Sequence, residues 1–349
     1  MKKNVLLIAP EWVNLHQDII KGLESMGYNV EFIPENSFKG DPFRVKKRGR
    51  DMSPDKADAT KTAYWKLHLG KTSTTFDHLL VIDGQGVNQY LFTELKRRNP
   101  KVFFVNYLYD TTYSYYHFEE SFHFYDKVFS FDKKDAAQHQ IGFLPIYWTD
   151  NSNNKKDGKT YEIFGFGAYS DNRYRLYRQI RTIAEDMKKS YFIKLYAPHV
   201  KHFLLYRIVD VLRPVFGRKR FIPYSIYSSD YITSELMTTD EFRYYVQSSD
   251  VVLDTKVHNQ DGLTARFMWA LGAGKKIITT NESVKEYDFY TPDQILILND
   301  RELTEQDKII TREFIGKELS IPNKNREKLE CYRLENWLKT VLVILKDEQ

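Results

Sequence analysis

A loop and the helix that follows it, residues 260–272, contain the residues best suited to bind a phosphate. The loop is polar and contains Gly262, and Arg266 falls early in the apolar helical pattern. The first turn of a helix leaves backbone N–H groups without partners and carries a partial positive charge, so it attracts an anion. Arg266 adds a planar fork of donors that fits phosphate oxygens. The pattern therefore predicts an anion site at this loop.

Two apolar strands flank the predicted site. Asp250–Asp254 precedes the loop as a short β-branched run, and Lys275–Thr280 follows the helix after a stop at Gly272 and Gly274. This order predicts one βαβ unit, with the loop after the carboxyl end of its first strand. In open α/β sheets, ligands bind in the crevice at that edge.

The same alternation extends over most of the 349 residues and predicts an α/β chain of two domains. The first alternation starts at the strand Val5–Ala9, with Asn14 as the N-cap of its first helix. The second starts at Tyr161. Residues 34–75 show no clear pattern, and residues 324–346 predict one long terminal helix.

These boundaries divide the chain into four parts. We expect a first Rossmann-like domain over residues 1–150 and a polar linker over residues 151–159, which are rich in Asn, Ser, Lys, Asp and Gly. A second Rossmann-like domain follows over residues 160–323, and residues 324–349 form the terminal helix.

The loop–helix stretch resembles the nucleotide-sugar-binding segment of bacterial GT-B glycosyltransferases from capsule, exopolysaccharide and O-antigen (lipopolysaccharide) gene clusters. The resemblance is carried by Asp254, Gln260-x-Gly262-Leu263-Thr264-x-Arg266, Ala270–Lys276 and Thr279–Asn281, and also by Phe124–Asp132 and Tyr287–Tyr290. It implies the GT-B fold: two Rossmann-like doubly wound domains facing across a cleft, with a C-terminal helix returning to the first. It also implies an enzyme that needs neither a metal nor another cofactor.

The resemblance further implies a donor site in the second domain and an acceptor site in the first. Gly165, Gly167 and Arg173 resemble the first loop of a GT-B C-terminal domain, where a turn and a basic side chain hold the donor pyrophosphate. N–H groups and cations stabilise the nucleoside diphosphate as it leaves with a growing negative charge. The donor-binding residues that we expect are Gly167, Arg173, Gln260, Asp261, Gly262, Leu263, Thr264, Arg266, Lys275 and Asn281.

One position departs from the family pattern. Many retaining GT-B enzymes have two acidic residues eight positions apart, and the second contacts the donor ribose. Here the two positions are Asp261 and Trp269, so the second is not acidic. Trp269 is either a core aromatic on a buried helix or a residue that stacks on the donor.

An inverting enzyme would also need a general base for the acceptor hydroxyl, whereas a retaining enzyme would not need one in this role. Glu11, Asp83 and Asp110 follow the carboxyl ends of strands in the first domain. Asp110 is the first candidate because tyrosines surround it in the sequence, and Asp83 is the second. The sequence leaves both stereochemical outcomes open.

The positive charge of the chain is local. Residues 201–220 contain six basic residues and one acidic residue, which accounts for the whole net charge of +5. Their apolar residues recur at helical spacing, which suits either an interfacial helix on anionic lipid or an ordinary surface helix. The residues expected to contact the membrane or the acceptor are Arg207, Arg213, Arg218, Lys219 and Arg220. Nucleic acid is an unlikely partner because charge balances elsewhere and no such motif occurs.

The compartment follows from the cysteine count and hydropathy. A single cysteine, Cys331, excludes a disulfide within the chain and suits a reducing cytoplasm. The apolar run Val5–Ala9 is too short for a signal segment, and no run is long enough to span a membrane. We therefore expect a cytoplasmic protein, and a peripheral position on the inner face of the cell membrane is the alternative that stays open.

Three functions fit these features. The first is a glycosyltransferase (hexosyltransferase-like) that moves a sugar from a nucleotide-sugar donor to a lipid-linked glycan acceptor of a growing surface polysaccharide. The second is a non-catalytic GT-B-like subunit that supports a partner transferase, which the Trp269 departure would explain. The third is a nucleotide-sugar epimerase, which shares the two-domain architecture and needs no acceptor.

Overall fold

Two parallel β-sheets, one in each of two units of the chain, form the framework of the computed structural model. The structure describes residues 2–11, 14–35, 54–113, 119–149, 160–197, 230–257, 259–319 and 323–342, together with 208, 212 and 215. The first unit comprises Met1–Thr149, His258–Leu263 and Glu330–Gln349, and the second comprises Asp150–Val257 and Thr264–Leu329. The linker predicted over residues 151–159 lies outside the described residues.

The sheet of the first unit has six strands, in the spatial order β2-β1-β3-β4-β5-β6, and every neighbouring pair is parallel. The strands are β1 (Asn4–Ala9), β2 (Asn29–Pro34), β3 (His78–Ile82), β4 (Phe103–Leu108), β5 (Lys127–Ser130) and β6 (Gly142–Phe143). The helices are α1 (Leu15–Ser25), α2 (Pro54–Leu69), α3 (Gln89–Arg98), α4 (Lys133–His139) and a 3₁₀ turn, Glu119–Phe124. The strand order reverses between β1 and β3.

The sheet of the second unit also has six parallel strands, in the order β12-β11-β10-β7-β8-β9. The strands are β7 (Ile163–Ala168), β8 (Tyr191–Tyr196), β9 (Ile232–Thr233), β10 (Val251–Leu253), β11 (Lys276–Thr279) and β12 (Ile295–Ile297). The helices are α5 (Asp171–Asp186), α6 (Thr239–Ser248), α7 (Ala265–Gly272), α8 (Glu305–Gly316) and α9 (Asn323–Glu330), with a 3₁₀ turn at Glu282–Glu286. Counted within the unit, this is the 3-2-1-4-5-6 order of a dinucleotide-binding domain.

Each sheet forms because its central strands are apolar on both faces. Val5–Ile8 in β1 and Leu79–Ile82 in β3 are completely buried, as expected of parallel strands covered by helices on both sides. In the second unit, β7, β10 and β11 are buried in the same way, and α5 packs on the sheet through Leu176, Ile180 and Ile183. The carboxyl edge of each sheet is therefore held by a rigid core.

The predicted long terminal helix is wrong in one respect, because two helices occupy this region. α9 ends at Glu330, and α10 (Leu334–Val341) starts four residues later. The break occurs because the backbone of Tyr332 and Leu334 pairs with Trp148, whose N–H donates to Tyr332 O at 3.0 Å and whose carbonyl accepts from Leu334 N–H at 2.9 Å. A residue bonded in this way cannot also continue the helical ladder.

α10 belongs to the first unit, as the expected return of the terminal helix requires. It packs on α1 at Gly22, where an added methyl group would lie 2.7 Å from Leu338 Cδ1. Trp337 is completely buried, and its indole N–H donates to Pro145 O at 3.1 Å. The helix thus completes the apolar core of the unit in which the chain begins.

Two other local features differ in part from the predictions. Asn14 occupies the predicted N-cap position of α1, but its backbone is left-handed, with φ 53°, and its side chain makes no capping hydrogen bond. The stretch 34–75, which showed no pattern, contains the sixteen-residue helix α2. Trp65 and Leu69 of this helix are buried, and Trp65 Nε1 donates to Gly86 O at 2.9 Å. The helix is held by its final turns, so its first half shows no apolar periodicity.

Candidate functional site

A buried arginine, Arg173, and a largely buried one, Arg266, meet at Gly167 in the second unit, at the carboxyl end of β7. Arg173 lies in the first turn of α5, which Ser170 caps, and Arg266 lies in the first turn of α7. A methyl group added to Gly167 would lie 2.9 Å from Arg266 Nη2 and 3.0 Å from Arg173 Nη1. Because β7 and β10 flank the point where the strand order reverses, the arginines lie where open α/β sheets bind ligands.

The carboxylate of Asp254, the residue that follows β10, lies next to Arg266. Its side chain is 1% exposed, and its Oδ1 lies 3.6 Å from Arg266 Nη1. Oδ1 also accepts from Thr264 Oγ1 at 2.9 Å, and Oδ2 accepts from Thr279 Oγ1 at 3.3 Å. Two guanidinium charges thus face one carboxylate charge in the described part of the site, which leaves an excess positive charge. Burial, and then the nearby Arg266, lowers the pKa of Arg173.

The two arginines differ in the hydrogen-bond acceptors that the protein provides for their guanidinium N–H groups. Arg173 Nε donates to Thr255 Oγ1 at 2.9 Å, and its Nη1 donates to Ala168 O. Arg266 is only 14% exposed, yet its Nε has no hydrogen-bond partner among the described residues, and its Nη1 donates to Tyr177 OH at a long 3.5 Å. A buried charged donor without good partners is costly, so Arg266 is suited to an anionic ligand.

The predicted loop, Gln260–Leu263, belongs to the first unit, and there it is bound to the end of β5. The backbone N–H groups of Asp261 and Gly262 donate to Asp132 Oδ2 at 2.7 and 2.8 Å. Lys134 Nζ lies 2.5 Å from Asp261 Oδ2. A phosphate-binding role of the Gly262 N–H stays a prediction, and it would require this group to exchange Asp132 for the ligand.

Gly262 is required at its position by close packing. A methyl group there would lie 2.4 Å from Phe131 Cε2 and 3.0 Å from the carbonyl oxygen of Phe131. Leu263 is buried and Gln260 is 9% exposed. The segment is therefore held by side-chain packing as well as by the hydrogen bonds to Asp132.

Thr264 is the N-cap of α7 in the second unit. Its Oγ1 accepts from Phe267 N–H at 3.1 Å, which caps α7. The same hydroxyl donates to the Asp254 carboxylate and holds it in place. One N–H group of the first turn is thus occupied by the cap. The anion-binding capacity of this end resides mainly in the Arg266 side chain.

The structure does not bring every predicted donor residue to the arginine pair. Lys275 precedes β11, so it lies at the amino edge of the sheet, whereas Gly167 and Asp254 lie at the carboxyl edge. Asn281 does follow the carboxyl end of β11, but its Oδ1 accepts from Ser283 N–H at 3.2 Å and caps a 3₁₀ turn. A donor contact by either residue stays a prediction.

Trp269 lies in the core between α7 and α6. Its side chain is 5% exposed, its ring meets Phe242 edge-on at 6.0 Å between centroids, and Arg243 Cζ lies 4.4 Å from its ring centroid. These contacts favour the interpretation of Trp269 as a core aromatic. The neighbouring Arg266 Cζ lies 5.5 Å from the ring of the same Phe242.

The two predicted base candidates lie close together at the carboxyl edge of the first sheet. Asp83 is 4% exposed and has a left-handed backbone, with φ 64°. Its Oδ1 accepts from Tyr109 N–H at 2.7 Å and from Asp110 N–H at 3.2 Å. Burial raises the pKa of Asp83, and the neighbouring Asp110 and Glu35 raise it further. Asp110 is half-buried and Glu11 is exposed.

The basic residues predicted to meet a membrane, Arg207, Arg213, Arg218, Lys219 and Arg220, lie outside the described residues. Three apolar residues in the same stretch are described, and all are exposed: Ile208 by 63%, Leu212 by 48% and Val215 by 76%. In the described part of the chain, no helix is long and apolar enough to cross a bilayer. The described residues also contain no group of three His, Cys, Asp or Glu placed to hold a metal ion.

Sequence reasoning did not identify Thr255 and Tyr177 as contributors to the arginine site, and it named Asp254 for the family resemblance but not as a site residue. Asp254 and Thr255 follow a short buried strand, and a polar pair at that position indicates a carboxyl-edge site. Tyr177 is four residues after Arg173 on α5, so the two share a helix face. Their roles depend on Arg266, which is distant in sequence.

The sequence matches no family model and no curated protein. Several solved structures share the fold. An α,α-trehalose-phosphate synthase (UDP-forming) from Burkholderia vietnamiensis matches with a TM-score of 0.58 and 9% identity, covering 99% of this chain and 100% of that one. The Methanocaldococcus jannaschii UDP-GlcNAc 2-epimerase, in complex with UDP-GlcNAc and UDP, matches with a TM-score of 0.51 and 12% identity. The match covers 99% of this chain and 100% of that one.

The S. aureus MnaA–UDP structure matches with a TM-score of 0.51 and 11% identity, over 100% of this chain and 99% of that one. The fold is GT-B. At these identities the likeness shows the fold of the whole chain, and the activity has to be argued from the site.

Proposed function

We propose that this protein is a metal-independent glycosyltransferase that uses a nucleotide-sugar donor. The observation that carries the proposal is the buried Arg266 guanidinium, whose Nε lacks a hydrogen-bond partner in the described structure while Arg173 lies beside it at Gly167. Sugar transfer releases a nucleoside diphosphate, and preorganised cations stabilise the charge that develops on it. Gly167 has no side chain, so both guanidiniums lie against its backbone and next to each other.

The fold neighbours support a nucleotide-sugar donor. The trehalose-phosphate synthase is described as UDP-forming, and the Methanocaldococcus jannaschii enzyme was solved with UDP-GlcNAc and UDP. We assign donor binding to the second unit, through Arg173 and Arg266, because the arginine pair lies at the same type of switch point that binds nucleotides in doubly wound folds.

We assign the acceptor to the first unit and the role of general base to Asp110. In an inverting reaction the acceptor hydroxyl would transfer its proton to the Asp110 carboxylate. The acceptor oxygen would form a bond to the anomeric carbon as the bond from that carbon to the diphosphate oxygen breaks. Asp83 is less suited to this role, because its carboxylate is buried and already accepts two backbone N–H groups.

The proposed acceptor is a lipid-linked glycan of a bacterial surface polysaccharide, such as capsule, exopolysaccharide or O-antigen. The family resemblance and the local charge of residues 201–220 support this proposal. Ile208, Leu212 and Val215 are spaced as one helix face and are exposed among basic residues, a combination that suits anionic lipid on the inner face of the cell membrane. Each basic residue near such a surface contributes about 1 kcal/mol.

A second candidate function is a nucleotide-sugar epimerase, which the fold neighbour named as a UDP-GlcNAc 2-epimerase favours. An epimerase would convert the free nucleotide sugar without any acceptor. The arginine pair would serve both functions, so the acceptor requirement distinguishes them.

Ligand binding tests the donor site directly. We expect one of UDP, GDP, CDP and TDP, or one of their common sugar conjugates, to raise the melting temperature, because a ligand that binds only the native state stabilises it. Arg266→Ala should abolish this shift, and Arg266→Lys should weaken it, because lysine keeps the charge and loses the planar fork. Arg175→Ala is the matched control, since Arg175 pairs with Asp300 on the surface. No shift with any nucleotide at millimolar concentration would favour the non-catalytic subunit.

Product analysis then separates the two enzymes. A transferase should release nucleoside diphosphate in proportion to a glycosylated lipid-linked acceptor, and it should leave the free donor unchanged when no acceptor is present. Epimerised nucleotide sugar formed in the absence of acceptor would refute the transferase and support the second candidate.

Vesicle sedimentation tests the membrane proposal. The protein should bind vesicles containing anionic lipid and release them at high salt. The double variant Ile208→Ser, Leu212→Ser should bind less, whereas Ile309→Ser, Ile310→Ser should not, because these two exposed isoleucines lie on α8 outside the basic stretch. Equal loss in both variants would contradict the assignment.

A further inference from the structure

Two carboxylates hold the four-residue loop that contains Asp110. Asp83, after β3, accepts the N–H groups of Tyr109 and Asp110 at 2.7 and 3.2 Å. Asp135, in the first turn of α4, accepts Thr112 N–H at its Oδ2 at 2.7 Å and Thr112 O–H at its Oδ1 at 3.0 Å. The backbone is thus held on both sides of Asp110 by side chains from two different elements.

We propose that Asp83 and Asp135 are positioning residues, which fix the Asp110 loop so that its carboxylate is presented to the acceptor hydroxyl. This proposal rests on the proposed function and assigns no contact with substrate to either residue. A general base must lie within hydrogen-bond reach of the proton that it removes, and small misplacements are costly.

The burial of both carboxylates supports a role beyond loop stability. Asp83 is 4% exposed and Asp135 is 6% exposed. An asparagine would accept backbone N–H groups less strongly than a carboxylate, and it has one acceptor oxygen, whereas Asp135 accepts at both of its oxygens. Asp83 also occupies a left-handed conformation, with φ 64°, that is strained for most residues and adopted most easily by Asn and Asp.

Asp83 and Asp110 also influence each other electrostatically. Burial, and then the neighbouring Asp110, raises the pKa of Asp83, so the neutral form of Asp83 is favoured beside the proposed base. Burial raises the pKa of Asp135 as well.

The hydroxyl of Thr112 extends the arrangement to the end of α4. An ionised carboxylate only accepts hydrogen bonds, so the Thr112 O–H donates to Asp135. Thr112 Oγ1 then accepts from His139 Nε2, which lies 3.2 Å away. Asp135 and His139 are one turn apart on α4, so both reach the same threonine. The loop is thus attached to the helix through a side chain as well as through its backbone.

Steady-state kinetics of the full-length protein test the proposal, using the donor identified by thermal shift and a lipid-linked acceptor. We expect Asp83→Asn, Asp135→Asn and Thr112→Val each to lower kcat by about 10- to 100-fold, with donor Kd changed less than about twofold. Thr112→Ser should recover most of the activity because it restores the hydroxyl. A fall in kcat at a nearly unchanged donor Kd, with recovery in Thr112→Ser, separates positioning of the base from a general loss of stability.

Asp77→Asn is the matched control. Asp77 precedes β3 at the amino edge and accepts Asn4 N–H at 2.7 Å, so it makes the same kind of bond at the opposite end of the same strand. We expect native kcat in this variant. Backbone amide exchange at residues 109–112 should rise in Asp83→Asn and Asp135→Asn and stay native in Asp77→Asn.

The outcomes separate this inference from the proposed function. If Asp110→Asn is inactive while Asp83→Asn and Thr112→Val keep native kcat, the inference is wrong and the transferase stands. If Asp110→Asn keeps native kcat, the base assignment fails and the inference fails with it. If the native protein binds no nucleotide and transfers no sugar, the proposed function itself is overturned.

Discussion

Gly167→Ala tests the arginine site with the smallest available change. The added methyl group would lie 2.9 Å from Arg266 Nη2 and 3.0 and 3.1 Å from Arg173 Nη1 and Cζ. An unstrained contact is about 3.5 Å, so each guanidinium must move by about 0.5 Å. These are the ends of flexible side chains, and the fold should accommodate the shift with a loss of stability below about 1 kcal/mol.

The cost should appear in anion binding. A hydrogen bond to a charged group contributes about 1.5–3 kcal/mol, and both arginines would be displaced from the position next to residue 167. We expect a loss of about 1.4–2.8 kcal/mol, which is about 10- to 100-fold in Kd. Calorimetric titration should show it for the nucleoside diphosphate that stabilises the protein and, more weakly, for inorganic pyrophosphate.

Gly165→Ala provides the control on the same strand. Its methyl group would lie 3.0 Å from Leu253 Cδ1 and 3.2 Å from the ring of Tyr177, so it presses on the core instead of the guanidiniums. We expect stability to fall by about 1–3 kcal/mol while affinity falls less than in Gly167→Ala. Native affinity in Gly167→Ala would refute the placement of the diphosphate between the two arginines.

Three further predictions concern stability. Lys276→Met should lower the free energy of unfolding by about 1–3 kcal/mol in urea titrations, because Lys276 Nζ donates to the carbonyls of Phe314 and Ile315 at 2.9 and 2.8 Å. Native stability in this variant would show that the two carbonyls find other hydrogen-bond donors. Trp269→Phe should keep nucleotide affinity while Trp269→Ala loses about 3–5 kcal/mol of stability, and a large affinity loss in Trp269→Phe would instead support stacking on the donor. Burial, and then Lys3, lowers the pKa of His78 in the folded protein. The unfolded chain therefore binds a proton at this histidine more readily, and stability should fall as pH drops below about 6.5. His78→Gln should reduce this fall, and an unchanged pH dependence of the urea midpoint in this variant would contradict the prediction.

Part of the fold was accessible from local patterns. The strands predicted at Val5–Ala9, Asp250–Asp254 and Lys275–Thr280 lie where the sequence places them, because each is a short apolar run with clear boundaries. The helix α2 was missed because its buried residues fall in its last turns, and its contact with Gly86 depends on a segment about twenty residues away. The break before α10 was missed because its cause, Trp148, is far away in sequence.

The candidate site divides in the same way. Arg173, Arg266 and Gly167 were predicted from loop composition and family resemblance, and the structure brings these three together. The pairing of Asp261 and Gly262 N–H groups with Asp132 was not predicted, because that carboxylate is about 130 residues earlier in the chain. A pattern read along the chain identifies donors, but it does not identify which acceptor will satisfy them.

The sequence by itself determined the alternation of strands and helices, the two-sheet architecture and the residue types able to bind an anion, because these depend on periodicity and on side-chain chemistry. The tertiary structure alone decided which charges face each other. It placed Asp254 against Arg266, left Arg266 Nε without a partner among the described residues, and buried Asp83 beneath the Asp110 loop. The physical reason is that burial and electrostatic coupling arise from residues distant in sequence, at distances that only the packed fold sets.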